Sequence, residues 1–497
     1  MHLATPKITE SSANLNEKST EIYTDLIFLV PLATKIAEAL PFADALQARL
    51  GRQQDKLSSS VPFVTDLPNK TGSRVALVAI DPKASTFDLL TLGRKLAQAS
   101  GSRATQIAVA CYGLDRASAE RACEATLAAL LAYRFAMPSY RSKSEKITPL
   151  REIHFYGHKS PDGFRRTVAT AKGNNLARYL SALPPNKLTP ALYRRQVEKI
   201  AKGYGWKSAF LDQKKLRAKG AGAFLAVAQG SPEPDAGILR LRYAPKKIAG
   251  KKSARLLTLV GKGICFDTGG TNLKTAKGMY GMHEDMEGSA VALGTLLALS
   301  ELKVDFAVEC WLALAQNHIG PQAYKQNDVV TAANGTTIEI VHTDAEGRMV
   351  LADTLVLASA QKPQLIIDYA TLTGACVQAL SSRYSGVLTN RANWIEKLIA
   401  AGQASGERVW PFPLATDYGQ ELKSDIADTK QCTLGGEADH ILAGLFLQKF
   451  IAHDPAWVHV DLSAGNHKGG LAHIPTDITG FGIRFTLNLL FEQKMLG

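Results

Sequence analysis

Long apolar runs and paired cysteines are both missing from this chain of 497 residues. No stretch of about 18 uncharged apolar residues occurs, as a membrane-spanning helix would require. Acidic residues precede the first apolar stretch, LIFLVPLA, whereas a secretory signal carries basic residues at that place. The sequence therefore predicts a cytoplasmic protein without a membrane span or a secretory signal.

The six cysteines are scattered along the chain and show no zinc-knuckle or redox-pair spacing. Most of them lie in apolar segments, so we expect reduced thiols in the core. Gly269 and Gly270 lack the lysine and hydroxyl pattern of a phosphate-binding loop. Internal repeats and low-complexity tracts are also missing. These absences leave a globular protein of two or three domains, given the length of the chain.

The charge balance is basic, with a formal net charge of +13. Such a charge is compatible with binding to nucleic acid. The lysines and arginines are spread out, however, and the densest group, YAPKKIAGKKSARL, is typical of a solvated loop. Nucleic-acid binding is therefore an alternative that a salt-dependent gel shift would test.

The first third of the chain alternates strand-like and helix-like segments. Short runs rich in β-formers, such as LIFLVPL and RVALVAI, alternate with helical patterns such as DLLTLGRKLAQAS. This alternation predicts an α/β domain with a largely parallel sheet. A helical pattern and then PPNKLTP follow. We therefore predict a smaller N-terminal α/β domain at 1–160, a linker helix at 161–185 and a larger α/β domain at 186–497.

The second part of the chain repeats this alternation on a larger scale. Continuous apolar runs, such as RLLTLVGKGI and FAVECWLALA, are typical of strands that helices cover on both faces. Helical patterns include MEGSAVALGTLLALSEL and MVLADTLVLASAQ. Asn334 and Gly335 lie between two β-rich runs and predict a hairpin with a type I′ turn. The larger domain is thus predicted to have a mostly parallel central sheet.

Acidic residues gather at three loops of the larger domain. Asp267 follows a strand, Asp285 precedes a helix, and Asp344 and Glu346 lie between the hairpin and the next helix. In open α/β sheets, binding sites form beyond the carboxyl ends of the strands. We expect Gly347 to permit an unusual backbone angle that directs Asp344 and Glu346 to one point.

Converging carboxylates repel one another unless cations neutralise them. Four carboxylates suit two divalent ions about 3.5–4 Å apart. Their hard oxygen donors indicate Zn²⁺, Mn²⁺ or Mg²⁺ without ranking these ions. Lys262 and Lys274 fit the same centre, because a neutral lysine can bind a metal and a charged one can polarise a carbonyl group. Arg348 is suited to hold a planar oxyanion.

Four segments together resemble the leucyl aminopeptidase (cytosol aminopeptidase) family of dinuclear metallo-exopeptidases. They are VGKGICFDTGGTNLK, HEDMEGSA, HTDAEGRMVLAD and DYATLTGA. The resemblance extends from about residue 170 to the end of the chain, and weakly into the first domain. It implies an aminopeptidase that hydrolyses the N-terminal residue of peptides, leucine and other apolar residues above all, with a water activated by two metal ions.

The resemblance also implies the ligands of the two ions. Lys262, Asp267, Asp285 and Glu346 would hold one ion. Asp267, Asp344 and Glu346 would hold the other, so that Asp267 and Glu346 bridge the pair.

Further roles follow from the same resemblance. Lys274 would polarise the peptide carbonyl, and Arg348 would hold a bicarbonate ion that serves as the general base. The pocket for the first side chain of the substrate would be formed by Met282, Thr371, Leu372 and Gly374. The family also implies a homohexamer.

The chain departs from the family pattern near these motifs. The departures are His342, Met349, Thr268 and Glu287, where the family usually has Asn, Leu, Ser and a small residue. None of them is an expected metal ligand, so they bear on specificity more than on reaction type. Two alternative functions stay open: a nucleic-acid-binding protein on the same scaffold, and a dinuclear phosphoesterase, since paired metals also serve phosphoryl transfer.

Overall fold

The structure is a computed structural model that describes residues 4–32, 39–53, 56–143, 148–245 and 255–496. The chain divides into two compact units. Unit 1 consists of Met1–Asn175, Gln403–Gly406 and Lys468–Asp477, and unit 2 consists of Leu176–Gly402, Glu407–His467 and Ile478–Gly497. Most of the basic segment YAPKKIAGKKSARL lies outside the described residues.

Unit 1 contains a six-stranded sheet in the order β1-β6-β5-β2-β4-β3. The strands are β1 (Lys7–Ser11), β2 (Asp25–Pro31), β3 (Phe63–Asp66), β4 (Arg74–Ile80), β5 (Gln106–Cys111) and β6 (Glu152–Tyr156). The helices are α1 (Glu17–Thr20), α2 (Ala43–Gln53), α3 (Thr86–Ala99), α4 (Arg116–Tyr133) and α5 (Arg165–Ser181), which continues into unit 2. All strand pairs are parallel except β3 with β4.

Both faces of the unit 1 sheet are covered, which explains its continuous apolar strands. Along β2, Leu26 and Phe28 belong to one buried cluster with residues of α2. Ile27 and Leu29 point to the opposite face and belong to a cluster with residues of α3 and α4. Successive side chains of a strand alternate between faces, so a strand covered on both sides carries no polar alternation.

Unit 2 contains an eight-stranded sheet in the order β15-β14-β17-β13-β9-β10-β8-β7. Its strands are β7 (Lys207–Asp212), β8 (Gly237–Tyr243), β9 (Leu256–Asp267), β10 (Ala307–Asn317), β13 (Leu365–Ala370), β14 (Ser385–Thr389), β15 (Val409–Pro411) and β17 (Ala456–Asp461). A smaller sheet joins β11 (Val329–Thr331), β12 (Thr337–Glu339) and β16 (Thr429–Lys430). The four central strands of the large sheet, β17-β13-β9-β10, are parallel.

Among the described residues, ten further α-helices begin within unit 2. They are α6 (Pro190–Tyr204), α7 (Gln213–Ala218), α8 (Gly222–Ala228), α9 (Ala276–Met279), α10 (Glu287–Glu301), α11 (Glu346–Ser359), α12 (Gly374–Leu380), α13 (Ile395–Ser405), α14 (Asp439–Gln448) and α15 (Ile483–Phe491). The predicted α/β class, with a smaller N-terminal part and a mostly parallel central sheet in the larger part, is therefore confirmed. The boundaries at 160 and 186 stay predictions.

The predicted hairpin is present, but its turn differs from the expectation. Strands β11 and β12 pair in antiparallel fashion around Asn334 and Gly335. Only Gly335 has a positive φ, of 88°, whereas a type I′ turn requires positive φ at both central residues. Five residues, 332–336, separate the strands, and Ala332 donates its N–H to the carbonyl of Thr336 at 2.9 Å. The longer loop removes the need for a left-handed Asn334, so the type I′ prediction is wrong.

All six cysteines are free and buried, as the scattered spacing predicted. Among the described residues, no helix combines the length and the apolar character that a membrane crossing requires.

Candidate metal centre

The candidate site lies where β9 and the loops before α10 and α11 come together. Asp267 is the last residue of β9, one of the two middle strands of the large sheet. Asp285 directly follows the short 3₁₀ helix Met282–Glu284, one residue before the N-cap of α10. Glu346 is the first residue of α11. Side chains from three separate chain segments are thus directed to one edge of the sheet, as the sequence predicted.

Asp267 is held by neighbours on two sides. Its Oδ1 accepts hydrogen bonds from Nδ2 of Asn317 and from the backbone N–H of Gly269, both at 2.8 Å. Its Oδ2 lies 2.9 Å from Nζ of Lys274, which also lies 2.6 Å from Oδ1 of Asp344. Lys274 therefore links the carboxylates of Asp267 and Asp344.

Lys262 links the other two carboxylates. Its Nζ lies 2.8 Å from Oδ1 of Asp285 and 2.8 Å from Oε1 of Glu346, and it donates to the carbonyl of Thr371 at 2.9 Å. Burial alone would lower the pKa of Lys262, but Asp285 and Glu346 raise that pKa above its ordinary value. Lys262 is therefore a cation in the structure as it stands, and only loss of that proton would make it a metal ligand.

The segment before α11 is fixed through its backbone. Thr343 donates its N–H to Oδ1 of Asn272 at 2.9 Å. Its carbonyl accepts hydrogen bonds from Tyr324 at 2.7 Å and from Asn317 at 3.0 Å. Burial, together with the charges of Asp267 and Glu346, raises the pKa of Asp344 to about 7. The protein thus holds these acids close together although they disfavour one another's ionisation.

Gly347 is required for a different reason than expected. It is part of α11 and has no positive φ, so the predicted unusual backbone angle is wrong. A Cβ atom at Gly347 would lie 2.7 Å from Nζ and Cε of Lys262. The glycine allows the long Lys262 side chain to pass directly against the first turn of α11, which brings its amine to Glu346.

Several oxygen atoms of this cluster lack a partner. Oδ2 of Asp285 and Oε2 of Glu346 are buried and have no hydrogen-bond partner among the described residues. One carboxylate oxygen from each of Asp267, Asp344 and Glu346 lies within 4.8 Å of the other two. Buried carboxylate oxygens without a partner are costly. A divalent cation would satisfy them, so the residues fit the metal ions that the sequence predicted.

Arg348 lies behind this cluster and is almost fully buried. Its Nη1 donates to the carbonyl of Gln431 at 2.9 Å. Its Nη2 donates to both carboxylate oxygens of Asp439, at 2.8 and 2.7 Å. The guanidinium that was expected to hold bicarbonate is therefore engaged by a carboxylate of the same chain. In this arrangement a bicarbonate ion does not fit at the Nη2 atom.

Of the expected pocket residues, Thr371 contacts the acids directly. Thr371 donates its hydroxyl to Oδ1 of Asp285 at 2.8 Å. Leu372 donates its N–H to Asp461, which also accepts from the hydroxyl of Thr373 at 2.7 Å. Gly374 begins α12 and is exposed, and a Cβ there would meet nothing within 4 Å. Met282 is partly exposed at the start of the 3₁₀ helix. Thr371 is thus joined directly to the acids, whereas Met282 and Gly374 border open space.

The residues that depart from the family pattern have defined surroundings. His342 accepts a hydrogen bond at Nδ1 from the N–H of Asp344 at 3.3 Å, and burial and Lys274 lower its pKa. Thr268 donates its hydroxyl to the carbonyl of Asn317 at 2.8 Å, and Met349 is a buried core residue. Glu287 begins α10, and burial and the nearby charge of Glu284 raise its pKa to about 8.

Sequence reasoning missed the residues that hold the ligand loops. Asn317, Tyr324, Gln431 and Asp439 are four such residues. Asn317 ends β10, beside β9, so its position at a strand end was a usable signal. Gln431 and Asp439 lie more than 80 residues after Arg348, and their sequence context carries no motif that would indicate them.

A family model matches most of the larger part of the chain. The model described as the catalytic domain of the cytosol aminopeptidase family matches residues 175–487. A probable cytosol aminopeptidase from Synechococcus sp. (strain CC9605) is 36% identical over 472 residues, which cover 91% of this chain and 94% of the relative. Another, from Stutzerimonas stutzeri (strain A1501), is 41% identical over 349 residues, covering 68% of this chain and 69% of the relative.

Solved structures are also similar. A mutant of tomato leucine aminopeptidase matches with a TM-score of 0.85 and 28% identity, covering 98% of this chain and 97% of the other. The bottromycin maturation enzyme BotP in complex with Mn matches with a TM-score of 0.82 and 30% identity, covering 95% and 99%. The similarity therefore includes the whole fold and is not restricted to the four motifs.

Proposed function

Because the chain belongs to the cytosol aminopeptidase family of metallo-exopeptidases, we propose that it removes leucine and other apolar residues from the N-terminus of peptides by means of two divalent ions. The observation that supports this proposal is the cluster of four carboxylates and two lysines with unpaired buried oxygens. Buried carboxylate oxygens normally have a partner, so several unpaired ones beside one another favour a bound cation.

The ligand assignment follows the family resemblance. Lys262, Asp267, Asp285 and Glu346 would hold one ion, and Asp267, Asp344 and Glu346 the other. When bound, such ions lower the pKa of a water molecule and polarise the carbonyl group of the substrate. BotP was solved with Mn, which favours Mn²⁺ as the first ion to test, with Zn²⁺ and Mg²⁺ next.

The residues of the chain perform the remaining tasks. Without metal ions, burial lowers the pKa of Lys274, but the charges of Asp267, Glu346 and Asp344 raise it above its ordinary value. A charged amine at this place can donate a hydrogen bond to the carbonyl oxygen as negative charge develops there. Oδ2 of Asp285 can accept a hydrogen bond from the free α-amino group of the substrate, since Oδ1 is already engaged by Lys262 and Thr371. Recognition of that amine restricts cleavage to the N-terminus.

The pocket for the first side chain is assigned to Met282, Thr371, Leu372 and Gly374. Because Gly374 faces open space and Met282 is partly exposed, an apolar side chain can be accommodated next to Asp285. An apolar pocket discriminates by only about 1–3 kcal/mol per methylene, so a broad preference among apolar residues is expected. We also propose a cytoplasmic location and a homohexamer, which light scattering would reveal as six times the chain mass of 53.5 kDa.

The deciding experiment compares two chromogenic substrates with the purified, metal-loaded protein. Leucine-p-nitroanilide and p-nitrophenyl phosphate are each supplied with Mn²⁺ or Zn²⁺. The proposal predicts release of p-nitroaniline, loss of activity with a chelator and no turnover of the phosphate ester. Activity on the phosphate ester alone would establish a phosphoesterase instead.

A further inference from the structure

We propose that Asp439 replaces bicarbonate as the anion on Arg348 and as the proton acceptor of the hydrolysis. The base role rests on the proposed function. The replacement itself rests on the contacts of Arg348 and can be tested without any substrate.

Asp439 fills the anion position at Nη2 of Arg348, while the buried Nε of Arg348 has no hydrogen-bond partner among the described residues. The side chain is only 2% exposed, and both oxygens of Asp439 lie within 2.8 Å of Nη2. Hydrogen bonds between an ionised donor and an ionised acceptor are the strong kind, and here the partner is tethered to the same chain. A dissolved anion would have to displace it and would also pay the entropy of association.

The local fold directs Asp439 to this place. Asp439 is the first residue of α14, where the helix dipole favours an acid. The preceding residue, Ala438, has a left-handed backbone with φ of 50°, which is unfavourable for a residue with a Cβ. The carboxylate of Asp439 is therefore held by a turn that costs free energy. This turn positions the carboxylate against Arg348.

Gln431 connects the pair to the acidic centre. Its carbonyl accepts from Nη1 of Arg348, and its Oε1 accepts from the N–H groups of Val341 and His342 at 2.7 and 3.3 Å. Asp439 is the more exposed partner, with 21% of its side chain accessible. His342 lies within electrostatic reach of Lys274, Asp439 and Glu346. The charge of Asp439 thus acts on His342, whose Nδ1 accepts from the N–H of Asp344.

The proposed step balances as a simple hydrolysis. Water adds its oxygen to the peptide carbonyl carbon, and one of its protons passes to the carboxylate of Asp439. The C–N bond then breaks, and the same proton passes to the leaving amino nitrogen. Asp439 is regenerated, and no co-reactant other than water is consumed.

The test measures bicarbonate binding and peptide hydrolysis separately. ¹³C-labelled bicarbonate is added to wild type, Asp439→Ala and Asp439→Asn in CO₂-free buffer, and binding is followed by the line width of its ¹³C NMR signal. Asp305→Ala is the matched control, because Arg255 also donates from one Nη2 to both oxygens of Asp305, at 2.9 Å, on the surface. Circular dichroism verifies folding, and Asp439→Ser replaces Asp439→Ala if the latter does not fold.

We expect bicarbonate to bind only when Asp439 is replaced by a smaller side chain. Wild type and the Asp305→Ala control show no saturable broadening, whereas Asp439→Ala does. Hydrolysis of leucine-p-nitroanilide by wild type changes less than about twofold on addition of bicarbonate. Asp439→Ala loses about 10²-fold in CO₂-free buffer, as expected for loss of a general base, and bicarbonate restores at least part of it. Asp439→Asn is equally slow but is not restored, because its amide still fills the place.

Other outcomes overturn the inference. Saturable binding of bicarbonate to wild type would show that Asp439 does not exclude it. An Asp439→Ala variant that neither binds bicarbonate nor loses activity would show that Asp439 is only a structural partner of Arg348. If no variant hydrolyses any peptide, the proposed function fails, while the NMR measurement still decides whether Asp439 fills the anion position.

Discussion

Acidic residues cluster in both units of the chain, yet only one cluster has the character of a metal site. In unit 1, both oxygens of Glu120 are engaged, by Nε2 of His158 and by the hydroxyl of Ser160 at 2.7 Å. Glu10 accepts from the N–H of Ser160 at 2.6 Å. In unit 2, the acids around Lys262 and Lys274 also form ion pairs, but buried oxygens of Asp285 and Glu346 have no partner among the described residues.

The difference shows what distinguishes a structural acid cluster from one built for a cation. A histidine and a hydroxyl group engage both oxygens of Glu120, which is also partly exposed to solvent, so that this carboxylate needs no cation. In unit 2, two lysines pair with only some of the carboxylate oxygens. The remaining oxygens are buried without a partner, which costs free energy. The following predictions test this contrast, beginning with the largest effect.

The largest effect is expected from Asp344→Ala compared with Glu120→Ala. Removal of Asp344 deletes a proposed ligand and leaves Lys274 with only Asp267. We expect a loss of about 10³-fold or more in the hydrolysis of leucine-p-nitroanilide, at the upper end of what one electrostatic group supplies, together with reduced metal content by mass spectrometry. Glu120→Ala should keep both metal and activity. Equal metal loss in the two variants would remove the distinction between the clusters.

Lys274→Met should give the next largest loss. The amine lies between Asp267 and Asp344 and is proposed to stabilise the developing negative charge, so kcat should fall about 10²- to 10³-fold while KM changes little. Lys325→Met is the control, because this lysine is 70% exposed and pairs with Asp328 on the surface. Steady-state kinetics checks the prediction. A large rise in KM with unchanged kcat would instead assign Lys274 to substrate binding.

Asn317→Ala should have a moderate effect on metal affinity. Asn317 holds both Asp267 and the carbonyl of Thr343, and loss of such an outer partner typically costs about 10- to 100-fold in affinity. Titration with Mn²⁺ measures the change. Activity at saturating Mn²⁺ should return to near the wild-type rate, whereas persistent inactivity would mean that Asn317 does more than orient the ligand.

The smallest effect on activity is expected at Asp353, a buried acid of unit 2 whose oxygens are both engaged. It accepts from the N–H groups of Phe224 and Ala333, and burial raises its pKa to about 7. The folded state binds this proton more tightly than the unfolded state does. The free energy of unfolding should therefore fall as pH rises from about 4 to about 7, by on the order of 1 kcal/mol per pKa unit.

Asp353→Asn cannot titrate, so its urea midpoint should depend less on pH across this range. The comparison uses slopes against pH, since the amide also loses one acceptor and lowers stability at every pH. Parallel slopes for the variant and wild type would show that Asp353 has an ordinary pKa in the folded protein.

The fold and the grouping of the acids were predictable because both depend on local patterns. Continuous apolar strands of the kind seen in β9 and β10 predicted buried parallel strands. The spacing of Lys262, Asp267 and Asp285 predicted residues that the structure brings into contact or close to it. These signals lie within short segments, and strand ends bring such segments together in any fold of this class.

The remaining details depend on contacts between distant segments. No local pattern indicates that Asp439 contacts Arg348, since α14 begins 91 residues later. The sequence predicts a turn at Gly347, because it does not reveal that Lys262 packs against this residue. The hairpin turn was assigned from two residues, whereas the pairing of β11 with β12 sets a longer loop.

The central claim is that the unpaired oxygens of unit 2 share divalent ions, and calorimetric titration of the metal-free protein with Mn²⁺ tests it most directly. Wild type should bind two ions per chain. The Asp344→Ala/Glu346→Ala double variant, folded by circular dichroism, should bind none at the same concentrations. Absence of binding to wild type, or undiminished binding to the double variant, would contradict the account.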